Sequence, residues 1–202
     1  MNLLEIFLGG LGGAIISAIV TIYIHRKTNK HIPKGKAYKL LKELGKILKL
    51  VDGDFIFIKS GKDNYMVANH IYSKADCEII ATAFHEDPAR YGDMDLVKAF
   101  KYGGSLFKRI TCEQVCNKNS QKIAASNLSK ILPGSEFVVI PKEVRCTKID
   151  GIFCKFNDDT YLTFIAFRDP EGIEENKGVI FRDGVADKFY EYYKSLACKY
   201  KC

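Results

Sequence analysis

The sequence predicts an α/β fold: an N-terminal transmembrane helix followed by one domain with a mixed β-sheet flanked by helices. Three observations carry that reading. Leu3 to Ile24 is apolar except for Glu5. Beyond it, short β-rich runs alternate with helical patterns up to about residue 140. Finally, two apolar runs flank Asn157-Asp158-Asp159, which is hairpin turn chemistry.

The apolar run comes first. A helix of that length spans roughly 33 Å at about 1.5 Å per residue, the thickness of a bilayer core. A cleaved signal peptide needs a basic segment ahead of a shorter apolar core. Met1-Asn2 supplies no basic side chain, so an uncleaved signal anchor over 1–24 is expected. His25 to Lys49 carries nine Lys/Arg against Glu43 alone, and with the chain at +7 the stretch from residue 50 onward is neutral. Basic residues beside a span stay on the cytoplasmic side, which predicts a single-pass protein with its N-terminus outside and its C-terminal domain in the cytosol. Seven scattered cysteines, an odd number, suit reduced thiols. Gly9, Gly13 and Ser17 recur every four residues, a spacing that lets helix backbones approach in lipid, so this face is the one expected for a homodimer.

Residues 25–50 read as a basic juxtamembrane linker and amphipathic helix. Within it Ala37, Leu41, Leu44 and Leu48 fall on one face, with Lys39, Lys42 and Lys46 on another. Such a helix can lie on anionic headgroups or pack its leucines on the domain. Arg26, Lys27, Lys30, Lys34, Lys39 and Lys42 are the candidate membrane-surface residues, and the bilayer with its anionic headgroups is the expected partner.

Residues 51–202 form the α/β domain. Strands are predicted at 54–59, 78–84, 106–111, 137–140, 149–156, 160–167 and 178–182. Helices are predicted around 69–76, at 94–102 before Gly103-Gly104, at 120–132 with Ile123, Leu128 and Ile131 inward, and after Asp183 as a cap. In this last helix Val185, Phe189, Tyr192 and Leu196 share one apolar face.

Several features order themselves like a known family. They are Ala75-Asp76-Cys77-Glu78-Ile79-Ile80, a helix ending at Gly103-Gly104 before Lys108-Arg109-Ile110, the strand 137–140, the hairpin from Lys148 to Phe167, and Gly178-Val179-Ile180-Phe181-Arg182-Asp183 ahead of an aromatic helix. Over roughly residues 65–200 this succession resembles one copy of the phospholipase D-like fold. The resemblance implies a His-x-Lys-x4-Asp motif whose histidine attacks a phosphodiester. Where that strand falls, the chain reads Cys146-Thr147-Lys148-Ile149-Asp150, with cysteine in the histidine's place and no aspartate at the motif's spacing. The resemblance is therefore to a degenerate copy lacking the motif.

Other chemistry is sparse. His85 follows a buried strand at the edge where α/β sheets bind ligands, so the loop through Arg90 is the candidate pocket. If any residue is catalytic, it is His85. Arg109, Arg168 and Arg182 each end a predicted strand and could together receive a phosphate, or pair with Asp169 and Asp183. The pairs Cys112/Cys116 and Cys198/Cys202 have a spacing that zinc permits without requiring. No metal and no cofactor is expected. The neutral domain makes nucleic acid an unexpected partner, leaving a protein or small molecule of unknown identity. The expected function is a membrane-tethered cytosolic non-catalytic binding, sensor or interaction module. The alternative is a membrane-anchored phosphodiesterase, phospholipase or nuclease, with a rearranged active site.

Overall fold

A computed structural model describes residues 35–48, 55–74, 77–85, 107–167 and 177–200. In chain order the elements are α1 (Lys36–Ile47), β1 (Phe55–Ile58), α2 (Gly61–Lys74), β2 (Cys77–Ala83), β3 (Phe107–Cys112), α3 (Lys118–Ile131), β4 (Glu136–Ile140), β5 (Asp150–Phe156), β6 (Tyr161–Phe167), β7 (Lys177–Arg182) and α4 (Val185–Lys199). The seven strands make one mixed sheet in the order β1-β7-β6-β5-β2-β3-β4. Strands β2, β3 and β4 run parallel. The remaining pairings, from β2·β5 outward to β1·β7, are antiparallel.

Because side chains alternate along a strand, each strand feeds two cores. On one face Ile79, Ile152, Leu162 and Ile180 pack with Leu41 and Leu44 of α1, Ile71 of α2 and Leu128 of α3. On the other, Ile80, Ile110, Phe153 and Ile165 pack with Tyr190, Tyr193 and Ala197 of α4. The sheet is thus the middle of three layers, and its central strand β5 is covered on both sides. That explains the unbroken apolar texture of Ile152-Phe153-Cys154. Gly151 has no room for a side chain, since a Cβ there would lie 2.6 Å from the Phe164 carbonyl oxygen.

The transmembrane part of the expected fold class does not stand. Among the described residues no helix is long and apolar enough to cross a membrane. The longest, α4, has 15 residues, about 22 Å against a core of about 30 Å. The fold class is corrected to an α/β domain with a mixed sheet flanked by helices. Single-pass placement, the signal anchor, the cytosolic orientation, and the bilayer and headgroups as partners all rested on the span and are withdrawn with it. Residues 1–34, which held the expected span, the Gly9/Gly13/Ser17 dimer face and Arg26, Lys27, Lys30 and Lys34, lie outside the described residues.

The amphipathic helix α1 packs on the sheet. Ala37, Leu40, Leu41 and Leu44 are buried while Lys39, Lys42 and Lys46 are exposed. Its N-terminus is capped from a distance. The Lys36 amide donates to Asp158 Oδ2 at 2.8 Å and the Ala37 amide to Thr160 Oγ1 at 3.1 Å, both in the β5–β6 turn. Gly35 is needed for this approach, because a Cβ would sit 2.3 Å from Thr160 Cγ2.

Four local expectations are also corrected. Helix α2 begins about two turns before the predicted 69–76, because Ser60 Oγ accepts the Asp63 amide at 3.2 Å and starts the helix early. Asp183 does not cap α4. It has φ 46°, its Oδ1 accepts the Tyr161 amide at 3.2 Å, and Gly184 occupies the cap. The buried face of α4 is Ala186, Tyr190, Tyr193 and Ala197, one residue from the predicted stripe, and Tyr192 is 37% exposed. In α3 Ile123 points outward at 44% exposure while Ala124 and Leu128 face in. The predicted helix at 94–102 and the side chain of Ile131 lie outside the description.

Asp158 yields a test. Desolvation pushes its carboxyl up, but hydrogen bonds from Thr160 and from the Lys36 and Thr160 amides prevail and hold it below its ordinary 3.8. A depressed folded value stabilises fully above 3.8 and is lost as pH falls through the folded value. Asp158→Ala is expected to lower stability by about 1 kcal/mol at neutral pH, the scale of a lost helix cap. Urea unfolding should show that deficit shrinking toward pH 3, on the acid side of the range.

Candidate site at the carboxyl edge of the sheet

The antiparallel pairing of β5 with β2 sets Thr82 opposite Gly151, so the end of β2 lies beside the entry to β5. The parallel strand β3 ends at the same edge, with Ala83 opposite Thr111. Three side chains, two hydroxyls and a carboxylate, seal this junction. Thr82 Oγ1 donates to the Ile149 carbonyl at 2.5 Å and accepts the Gly151 amide at 2.9 Å. Thr111 Oγ1 donates to the Ala83 carbonyl at 2.7 Å. The Phe84 amide donates to Asp150 Oδ1 at 2.6 Å.

The other oxygen of Asp150 faces His85, with Oδ2 3.2 Å from Nδ1, an ion-pair distance. The His85 side chain is 46% exposed and that of Asp150 20%. Nearby, Lys148 Nζ donates to Gln114 Oε1, and the Cys112 thiol lies 3.9 Å from that same oxygen. The segment before β5 is clamped by adjacent tyrosines of α4: the Thr147 amide donates to Tyr192 Oη at 2.8 Å, and Tyr193 Oη donates to the Thr147 carbonyl at 3.0 Å. Tyr193 stacks on Phe153 with ring centroids 4.5 Å apart. Burial keeps the Tyr193 phenol protonated by pushing its ionisation far up. Cys146, half-buried in the clamped segment, is also raised from 9.0, by burial first, with Lys148 opposing and Cys112 adding. Its thiol is neutral at physiological pH and a poor nucleophile.

Of the candidate site residues, the structure brings His85 together with Asp150, a partner the sequence reading had noted only as part of a failed motif. Arg182 is at the opposite edge, about 20 Å away along the strands at roughly 3.3 Å per residue. There its Nη1 is 2.6 Å from Asp183 Oδ2, and its guanidinium lies 4.9 Å from the Tyr38 ring centroid. Arg109 is midway along β3, opposite Ala81 and Phe137. Arg109 and Arg182 therefore do not converge on one phosphate. Arg90 and Arg168 lie outside the described residues. Residues missed by sequence reasoning are Gln114, Tyr192, Tyr193 and the pairing role of Asp150, since each contact joins segments far apart in the chain. Among the described residues no cluster of three or more His, Cys, Asp or Glu could hold a metal ion.

No protein-family model and no protein of curated sequence matches the chain. Solved structures of similar fold do exist. TrmBL2, an archaeal chromatin protein whose structure shows a novel mode of DNA binding, aligns at a TM-score of 0.52 and 17% identity, over 99% of this chain and 69% of that one. The phospholipase D family member Nuc from Salmonella typhimurium aligns at a TM-score of 0.49 and 14% identity, over 70% of this chain and 91% of that one. NucT from Helicobacter pylori aligns at 0.48 and 14%, over 70% and 93%. At these identities the likeness is one of fold alone. It nonetheless removes the ground for setting nucleic acid aside, because TrmBL2 binds DNA and the neutrality of residues 50–202 is a sum that says nothing about local contacts.

Alkylation measures the state of Cys146. Its rate with iodoacetamide, followed by mass spectrometry across pH, is expected to rise with a midpoint above 9.0, and Lys148→Met should move that midpoint further up. Exposed Cys198 serves as the reference in the same digest.

Proposed function

We propose that the domain is a non-catalytic binding module, a degenerate relative of the phospholipase D-like fold, whose ligand is taken at the carboxyl edge of β2 and β3 beside the entry to β5. The observation that carries this reading is the state of the three motif positions. The nucleophile's place holds Cys146, with a thiol that burial keeps protonated. The lysine's place holds Lys148, engaged by Gln114. The aspartate's place, five residues after Lys148, holds Phe153, which is fully buried and stacked between Phe189 and Tyr193. A carboxylate could not be put there without several kcal/mol of desolvation.

Binding without turnover is consistent with what remains. The edge offers a histidine, a lysine and side-chain amide and hydroxyl groups, which can recognise a polar ligand. DNA is the first ligand to try, given the description of TrmBL2. A second reading, a phosphodiesterase with a rearranged site, is favoured by one observation: a carboxylate oxygen of Asp150 lies 3.2 Å from His85 Nδ1, which sets a carboxylate beside a group able to act as acid or base.

The full chain is expected to leave single-stranded DNA and a phosphatidylcholine vesicle intact over hours. Robust turnover of either would sink the binding reading. Were turnover seen, His85→Ala should abolish it if the second reading is right, and survival of activity in both His85→Ala and His70→Ala would remove that reading too.

A further inference from the structure

We propose that the helical layer made by α1, α2 and α3 docks the phosphate backbone of duplex DNA, on a surface separate from the carboxyl edge. The proposal goes beyond the binding reading above and does not rest on it. Its basis is where the charge lies. The three helices hold nine lysines against Glu43 and Asp63, a net +7, which equals the formal charge of the whole chain. Helix α3 contains no acidic residue. Across the sheet α4 is close to balanced, with three lysines against Asp187 and Glu191. There Lys188 Nζ lies 3.5 Å from Asp187 Oδ2, and Lys194 sits 5.6 Å over the Tyr190 ring. The neutral total of residues 50–202 therefore hides the basic surface of α3.

The lysines form outward stripes. In α1 the buried face is Ala37, Leu40, Leu41 and Leu44, while Lys39, Lys42 and Lys46 recur three and four residues apart on the opposite side, all exposed. In α3 Ser120, Ala124 and Leu128 are buried, while Lys118, Lys122 and Lys130 are exposed. Both helices are held at their N-termini: α1 by the β5–β6 turn, and α3 by Asn117 Oδ1, which accepts the Asn119 and Ser120 amides at 3.0 Å. The stripes are thus fixed relative to the sheet. Glu43, the one carboxylate of α1, is set beside a histidine, with Oε2 3.4 Å from His70 Nε2.

Helix α1 packs on β7, β6 and β1 and helix α3 on β4, so from β7 to β4 the stripes stand five strand spacings apart, roughly 24 Å at about 4.8 Å each. That span reaches the backbones on either side of a B-DNA major groove about 12 Å wide, and the deep, narrow major groove of A-form RNA gives no such approach. Lysine is a compact point charge suited to phosphate, and the three helices contain no arginine, the residue that most often reads guanine. The contact is therefore with phosphates and independent of base sequence. The exposed large apolar side chains of the layer, Ile47, Tyr65, Met66 and Ile123, fall one or two to a helix, the ordinary scatter of a surface and not a patch for lipid or protein.

Anisotropy of a labelled duplex of about 30 base pairs, titrated with the full chain between about 50 and 200 mM salt, tests the surface. Each lysine–phosphate contact contributes about 0.9 to the slope of log affinity against log salt. The triple variant Lys39→Gln, Lys42→Gln, Lys46→Gln is expected to flatten the slope by about 2.7 and to weaken binding roughly hundredfold near 0.1 M salt. The same is expected of Lys118→Gln, Lys122→Gln, Lys130→Gln. Glutamine and lysine have similar helix propensity, so both triples keep their urea midpoints, and the matching arginine triples, which keep the charge, should keep the slope. Duplexes of unrelated sequence should bind alike, and His85→Ala and Lys148→Met should leave binding unchanged. Absence of duplex binding at the lowest salt, slopes unchanged in both glutamine triples, or tighter binding to phosphatidylserine vesicles than to the duplex at equal charge would each overturn the proposal. Loss of binding in His85→Ala and Lys148→Met with the triples unaffected would also overturn it, moving the DNA to the carboxyl edge in favour of the earlier reading. Turnover of DNA or lipid would overturn that earlier reading and leave this one standing.

Discussion

The antiparallel register of β5 against β2 is the constraint on which the carboxyl edge depends. It sets Thr82 opposite Gly151, and from that single alignment follow the Thr82 bridge, the Asp150–Phe84 bond and the position of His85. A slip of one residue would turn every side chain of β5 to the other face. Phe153 would leave its stack on Tyr193 and enter the core of α1 and α2, and Asp150 would turn away from His85. The register is held by burial on both faces and by the contact of Gly151 with the Phe164 carbonyl, which leaves no room for a side chain.

The two edges of the sheet differ in how their charges are used. At the far edge Lys108 pairs with Glu136 at 2.9 Å, Lys155 with Asp159 at 3.3 Å and Arg182 with Asp183 at 2.6 Å. Tyr190 donates to Glu78 on the same side, and burial together with that bond keeps the phenol protonated. These groups pair with one another, so the far edge is a structural seam. At the carboxyl edge the contacts run instead from side chains to backbone groups of neighbouring strands, which fixes loops and leaves His85 and Lys148 partly open to solvent.

How much of this could be read from the sequence depends on the range of the interaction. The β5–β6 hairpin was legible because Asn157-Asp158-Asp159 is a local signal, and Asp159 adopts the left-handed backbone such turns use, with φ 55°. Strand β2 was legible from its apolar run. Helix α4 was found but turned by one residue, because Phe189, Tyr190, Tyr192 and Tyr193 place aromatic rings on adjoining faces. Which pair is buried is decided by partners more than 40 residues away, Thr147 for Tyr193 and Glu78 for Tyr190. The early start of α2 was hidden in Ser60-Gly61, which reads as a turn until the serine is seen to accept the Asp63 amide. At the site, residue type singled out His85, while its partner Asp150 lies 65 positions on and only the register discloses it. Arg109 and Arg182 are set apart for the same reason, since a predicted strand end says nothing about which edge of the sheet that end occupies.

The capping of α1 by the β5–β6 turn bears on how the chain is made. The Lys36 amide finds its acceptor 122 positions later and the Ala37 amide 123 positions later. Likewise β1 pairs only with β7 within the sheet. On a ribosome adding about 5–20 residues per second, the apolar face of α1 and the strand β1 emerge several seconds before the elements that cover them exist. The N-terminal part of the domain must wait, exposed or shielded by another molecule, and the molecule closes only when its last strand and helix arrive. Contacts of such long span also make closure slow once synthesis ends. The hairpin turn that ends the wait is thus a latch between the first and last thirds of the chain.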